Sequence, residues 1–215
     1  MPSKAYKTFL DLLIDVEDLI DTHRIFSGGT PGKKKLGYLT RSGVVMLCAA
    51  WEFFNEELLL ESIDIINKRN ISIHDLPIEV QKTISNKVKK DANEIKPIEL
   101  AGEGWRTVWK NVADEETQTL NTPKRDKLNL LFNKYLGILR VSHFWKNFTP
   151  QEIDAFVSVR GDIAHKGRKA KYVRIGKLKE YFDMIKLTAI DSDSFVAEEI
   201  KNLYQLNKVP WSRTY

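Results

Sequence analysis

Arg160 and His165 stand five positions apart near the end of a segment with helical period, and a run of cations follows them. Those residue types suit phosphoryl chemistry. Imidazole moves protons near neutral pH, and the arginine fork donates two hydrogen bonds at once to a phosphate. Metal-free cleavage of RNA needs a base for the 2′-hydroxyl proton, a cation for the phosphorane and an acid for the leaving oxygen. Beyond His165, the cations Lys166, Arg168, Lys169, Lys171, Arg174, Lys177 and Lys179 precede the next acidic residue, Glu180. Such a strip can hold a phosphodiester backbone.

Arg160 also breaks a rule of helix patterning. At about 100° per residue, Ile153, Phe156, Val157, Ile163 and Ala164 share one face, and Arg160 falls in the middle of it. A guanidinium there keeps its charge and must find a carboxylate, carbonyls, water or a partner molecule. A purely structural reading makes Arg160 an ion-pair partner of Glu52 or Glu56 and lets His165 complement the negative end of its helix. The catalytic reading meets one geometric obstacle. A five-residue step separates the two side chains by about 140° on a straight helix, so one regular helix does not aim both at one phosphate. Either the helix distorts near Gly161, or two copies bring their motifs together across a two-fold axis.

The elements that must position these residues are helical throughout. Phe9, Leu12, Leu13, Val16, Leu19, Ile20 and His23 recur at three- and four-residue steps, predicting a helix from about Ser3 to His23. The run Ser27-Gly28-Gly29-Thr30-Pro31-Gly32 ends it, and Lys33, Lys34 and Lys35 make the loop a mobile, positive tip. From about Tyr38 to Asn67 the pattern predicts a long central helix of about 45 Å. Its first half, through Val44 to Trp51, is apolar on every side, as in a helix surrounded by others. Its second half carries Glu52, Glu56, Glu57, Glu61 and Asp64. Pro77 is placed to open a helix with Val80, Ile84 and Val88 inward. Between about 96 and 122 the period fails, and Trp105 and Trp109 suggest an irregular insertion packed by its aromatics. Thr122-Pro123 reads as the cap of a helix whose stripe is Leu128, Leu131, Phe132, Tyr135, Leu136 and Leu139. Thr149 and Glu152 form a capping box for the motif helix, which Gly167 terminates. A last helix runs from about Ile175 past Ala189, with Leu178, Tyr181, Phe182 and Ile185 inward. The tail from about 205 to 215, with Pro210 and Trp211, docks on the domain or on a partner.

Composition narrows the field. The 215 residues carry 34 Lys+Arg and 29 Asp+Glu for a net charge of +5, and 42% are hydrophobic, which fits one globular domain and permits a polyanionic partner. The lone Cys48 excludes an internal disulfide or a cysteine-based zinc site from one chain. Asp11, Asp15, Glu17 and Asp18 near the start do not read as a signal peptide. The longest uncharged apolar run, Ser42 to Trp51, is about half what a membrane span needs. A cytoplasmic protein is expected. Gly28-Gly29-Thr30-Pro31-Gly32-Lys33 lacks the spacing, the following Ser or Thr and the preceding strand of a phosphate loop. Glutamates one turn apart on the central helix lack the histidine of a di-iron site. His23, His74 and His143 are isolated. No cofactor or metal is expected.

Arg160-Gly161-Asp162-Ile163-Ala164-His165, with Gly167 close behind, resembles the R-x4-6-H motif of the HEPN superfamily of helical ribonucleases. The nearest likeness is to the RiboL-PSP-type proteins, whose motif reads roughly R-N-x-I-A-H-G. Arg41 to Glu57 is similar to their long central helix, and Asn121 to Gly137 to the segment before their motif helix. The resemblance implies an all-α HEPN bundle, usually dimeric, with Arg and His of both copies lining a cleft. It implies a metal-independent endoribonuclease leaving a 2′,3′-cyclic phosphate, in many members a toxin or a phage-defence effector. Arg160 and His165 would be its catalytic pair, with Asp162 orienting one of them and Glu52 in support. Lys166, Arg168, Lys169, Lys171 and Arg174 would bind RNA. The competing expectation is a non-catalytic HEPN module that binds RNA or a partner protein, such as an antitoxin.

Overall fold

The computed structural model describes residues 1–28 and 35–212, so most of the glycine-rich run and the lysines Lys33 and Lys34 lie outside the described residues. Those residues form seven α-helices and no strand. Helix α1 (Lys4–Ser27) starts where the Ser3 hydroxyl accepts from the Tyr6 amide and stops at Gly28, whose φ of 62° lies in the left-handed region. Helix α2 (Gly37–Asn67) packs along α1 and is the hub of the bundle. Around it stand α4 (Gly104–Thr117), α5 (Arg125–Leu136), α6 (Pro150–Lys166) and α7 (Ile175–Leu203), while α3 (Ile78–Lys89) leans on α4 and α5.

Trp51 lies in the middle of α2, fully buried, with its ring stacked on Phe54 and edge-on to Trp145. Its indole N–H donates to the Pro123 carbonyl at 3.1 Å, which pins the segment before α5 to the centre of the bundle. The Trp145 indole N–H donates to Ser192 Oγ at 2.9 Å and so joins α7 to the same aromatic group. Helix α2 is not covered on every side, as its apolar first half had suggested. Tyr38, Met46, Ala49 and Phe53 fall on one strip and remain exposed, because the neighbouring helices all pack on its other faces.

Residues 96–122 are irregular at their edges, with a 3-10 turn at Lys96–Leu100 and coil before α5, but their middle is corrected to the regular helix α4. Trp105, Val108, Trp109 and Ala113 follow helical spacing and are all buried. Arg106 on α4 donates to the carbonyls of Asn67, Arg69 and Ile71 at the end of α2, where a cation belongs. The helix expected from Thr122-Pro123 starts later, at Arg125. Its cap comes from α6, where Asp154 accepts from the Arg125 amide at 2.9 Å. Gly137, at φ 76°, ends α5, so Leu139 lies beyond it and is exposed rather than part of the stripe. Pro77 sits one place outside α3 as its N-cap, and Val80, Ile84 and Val88 are buried as expected. The C-terminal tail docks on the chain itself: Trp211 is buried and its indole N–H donates to the Asp193 carbonyl at 2.9 Å.

Two glycines make opposite predictions. A Cβ on Gly43 would lie 2.6 Å from Leu178 Cδ2, where α2 and α7 meet, so Gly43→Ala should cost about 1–3 kcal/mol. A Cβ on Gly161 would meet nothing within 4 Å. Gly161→Ala should therefore stabilise α6 by about 0.5–1 kcal/mol through helix propensity, as urea unfolding of both variants will read. The acidic half of α2 predicts a pH effect. Burial, then Glu52 and Glu57, push the Glu56 carboxyl up to about 7 from 4.5. Between those values the folded chain holds more protons than the unfolded chain, so stability falls as pH rises through the window. Glu56→Gln should be neutral near pH 4 and stabilising near pH 8 by about 1 kcal/mol, after discounting for its partial exposure. Thermal melts at the two pH values check it.

Candidate active site

The capping box predicted for α6 is present: Thr149 Oγ1 accepts from the Glu152 amide, and Glu152 Oε2 accepts from the Thr149 amide at 2.8 Å. The reciprocal bonds start the helix in a fixed phase. Ile153, Phe156, Val157 and Ile163 are then buried. Ala164, expected with them, is exposed, because the last turn of α6 runs past the edge of the core.

Arg160 lies on the inward stripe, and its side chain is 27% exposed. Its Nη1 donates to the Asn121 carbonyl at 3.2 Å, and its Nη2 stands 3.8 Å from Glu52 Oε2. The second distance is too long for a hydrogen bond, and Glu52 Oε2 is buried without any hydrogen-bond partner. The pair is held by charge alone. Burial raises the Glu52 carboxyl above its usual range, while Arg160 and then Lys127 pull it down. A guanidinium carries five N–H donors, so one bond to a carbonyl leaves most of its capacity for a phosphate. Cys48, one turn before Glu52, is pushed up to about 12, chiefly by burial, and is an inert thiol.

His165 and Lys166 occupy the last turn of α6, both exposed. Asp162 does not reach toward Arg160. Its carboxylate bonds Lys166 Nζ at 2.5 Å, and that bond first, with the nearby Lys171 backbone adding, holds it below the usual carboxylate range. His165 is close enough to add to that effect. The segment after Gly167 thus returns close to the end of α6. Gly167 stops the helix with a φ of 52°, and a 3-10 turn over Gly167–Lys169 follows. Lys166 is engaged by Asp162, whereas Arg168, Lys169, Lys171 and Arg174 are exposed and make no ion pair among the described residues.

Helix α6 runs without a break through Gly161, so the distortion considered there is absent. Arg160 and His165 diverge by about 140°, and one chain does not bring the two together. It does bring Arg160 to Glu52, and His165 to Asp162 and Lys166. One contributor was missed from sequence: the Asn121 carbonyl, which gives no side-chain signal at all.

Neither comparison with curated proteins nor comparison with solved structures finds a match. The family model RiboL-PSP-HEPN matches residues 8–198, from the first turns of α1 to the last turns of α7, and so includes the central helix and the Arg160–His165 motif. HEPN domains are all-α, as this chain is, and the match points in general terms to a nuclease- or RNA-related role. The match spans most of the sequence, and the chain therefore belongs to the RiboL-PSP-HEPN family.

Proposed function

We propose that the chain is a metal-independent endoribonuclease that works as a homodimer with composite sites. His165 of one copy takes the proton from a ribose 2′-hydroxyl, whose oxygen attacks the adjacent phosphorus. Arg160 of the other copy donates to the non-bridging oxygens as charge builds on the phosphorane. The bond from phosphorus to the 5′-oxygen breaks, that oxygen regains a proton, and a 2′,3′-cyclic phosphate and a 5′-hydroxyl remain. The observation that carries this reading is Arg160 itself: partly exposed, fixed by one carbonyl, and 3.8 Å from a carboxylate it does not hydrogen-bond. The unbroken α6 favours two copies over one, because its geometry keeps Arg160 and His165 apart. The exposed strip of Tyr38, Met46, Ala49 and Phe53 on α2 supplies apolar surface for such an interface beside Glu52. In a cell the activity fits a cytoplasmic toxin or phage-defence effector, restrained by an antitoxin or a larger complex.

The divergence of the pair within one chain also favours a second reading, a non-catalytic module that binds RNA or a partner protein. Cleavage of RNA in EDTA separates the two. Wild type is expected to cut and leave a cyclic-phosphate end, while folded Arg160→Ala and His165→Ala lose at least about 100-fold in rate. No cutting of any RNA by wild type would favour the binding module. Equal cutting by all three would place the activity elsewhere.

Composite sites make a sharper prediction. Neither single variant is active alone, but a mixed dimer of the two holds one intact site. Equal mixing with subunit exchange should restore about a quarter of wild-type activity. A mixture as dead as its components would rule out sharing between copies.

A further inference from the structure

We infer that Tyr172 is a base-stacking platform that selects single-stranded RNA for the end of α6. This rests on the reading of the chain as an RNA-cleaving protein and names the strand it takes. Ala170 and Val173 are buried on either side of Tyr172, so the segment is anchored while the ring stands outward, 57% exposed. The ring does not hang free. A Cβ placed on Gly37 would come within 2.8 Å of Tyr172 Cε2 and 3.1 Å of Cδ2, so one edge lies against the backbone of the first residue of α2. Any side chain at Gly37 would occupy that seat. Arg41 Nη1 is 3.1 Å from the same point, which sets a guanidinium beside the ring.

The platform is also tied to the motif. The Lys171 backbone lies close enough to Asp162, three residues before His165 and on the same end of α6, to help hold its carboxyl down. Tyr172 is the next residue. Its hydroxyl has no hydrogen bond among the described residues, and most of its ring is open, so it adds little to the packing. Lys171 and Arg174, with no ion pair among the described residues, flank it. A flat apolar surface between unpaired cations has the chemistry of an unpaired nucleotide: a π-face for the ring, and phosphates for the charges. Every base has such a face, but a duplex hides it, whereas a single strand can splay a base onto the ring.

The test uses the full chain carrying His165→Ala, so that bound RNA stays intact. It measures an oligoadenylate with one 2-aminopurine, single-stranded and in a duplex, over a range of salt. Tyr172→Leu should weaken single-strand binding about tenfold, leave the salt dependence unchanged and abolish the stacking quench of 2-aminopurine. Duplex binding should not move. Tyr172→Phe should behave as the parent, and Gly37→Ala, which displaces the ring without removing it, should weaken binding as Tyr172→Leu does. Lys171→Ala should instead lower the salt slope by about 0.7. Unchanged single-strand affinity and quench in Tyr172→Leu, with a lowered slope in Lys171→Ala, would overturn the platform and leave the RNA reading standing. No binding of either RNA form by the parent at low salt would overturn both.

Discussion

A permanent positive charge on the inward face of α6 organises the site. Arg160 shares its stripe with Ile153, Phe156 and Val157, and its guanidinium must be compensated where it emerges at the edge of the core. Both compensating groups depend on two adjacent residues of α2. Trp51 points into the core and, through the Pro123 carbonyl, fixes the segment that offers the Asn121 carbonyl to Arg160. Glu52 points the other way and offers its carboxylate. The central helix therefore sets the position of the arginine from both sides. The stabilising return is small, since a pair 3.8 Å apart without a hydrogen bond is worth about 1 kcal/mol or less once its desolvation is counted. An apolar residue of similar size would often do as well for folding. A partly desolvated guanidinium with spare donors is better explained by what it can bind.

Much of this was legible from the residues. The periods that mark α1, α2 and α7, the Thr149–Glu152 box and the end of α6 at Gly167 are local signals, and local physics decides them, although α1 runs four residues past the expected His23, to Ser27. Helix α4 was hidden, because Gly102 and Gly104 read as breakers while the helix begins at the second of them and runs on through Trp105 and Trp109. The start of α5 was misplaced because its cap, Asp154, is supplied by α6, which no local window contains. Within the site, the pairing of Arg160 with Glu52 could be guessed from charge and face. The Asn121 carbonyl could not, since a backbone acceptor leaves no mark in a sequence. The Asp162–Lys166 pair stands at i,i+4 within α6 and needed only helical spacing, whereas the nearness of the Lys171 backbone to Asp162 depends on the fold of the segment after Gly167.

The spacing of the motif and the period of the helix together set what one chain can do. Five residues advance an α-helix by nearly one and a half turns, which points Arg160 toward α2 and His165 toward the surface beyond the core. The two differ in support for the same reason. Arg160 is held by the Asn121 carbonyl and by the charge of Glu52, whereas His165 is exposed on the last turn of α6. On the proposed reading, a buttressed cation and an exposed imidazole would suit a reaction in which the phosphate is held while its neighbouring oxygens exchange protons.

Charge along α2 is polarised and would give a bound polyanion a direction. The helix spans about 45 Å and changes character along its length. Its first turns carry Arg41 and lie against Tyr172, which stands in the basic run that follows α6. Its later turns carry Glu56, Glu57, Glu61 and Asp64, crowded enough that burial and mutual repulsion raise the carboxyls of Glu56 and Glu57. On the proposed reading, a phosphodiester chain would be drawn to the first end and repelled from the second. Glu52 and Arg160 sit at the boundary, where a phosphate arriving from the basic side would find the guanidinium before it met the acidic row. Its negative charge would compete with Glu52 for Arg160, and a pair held at 3.8 Å without a hydrogen bond is one that such a competitor can open.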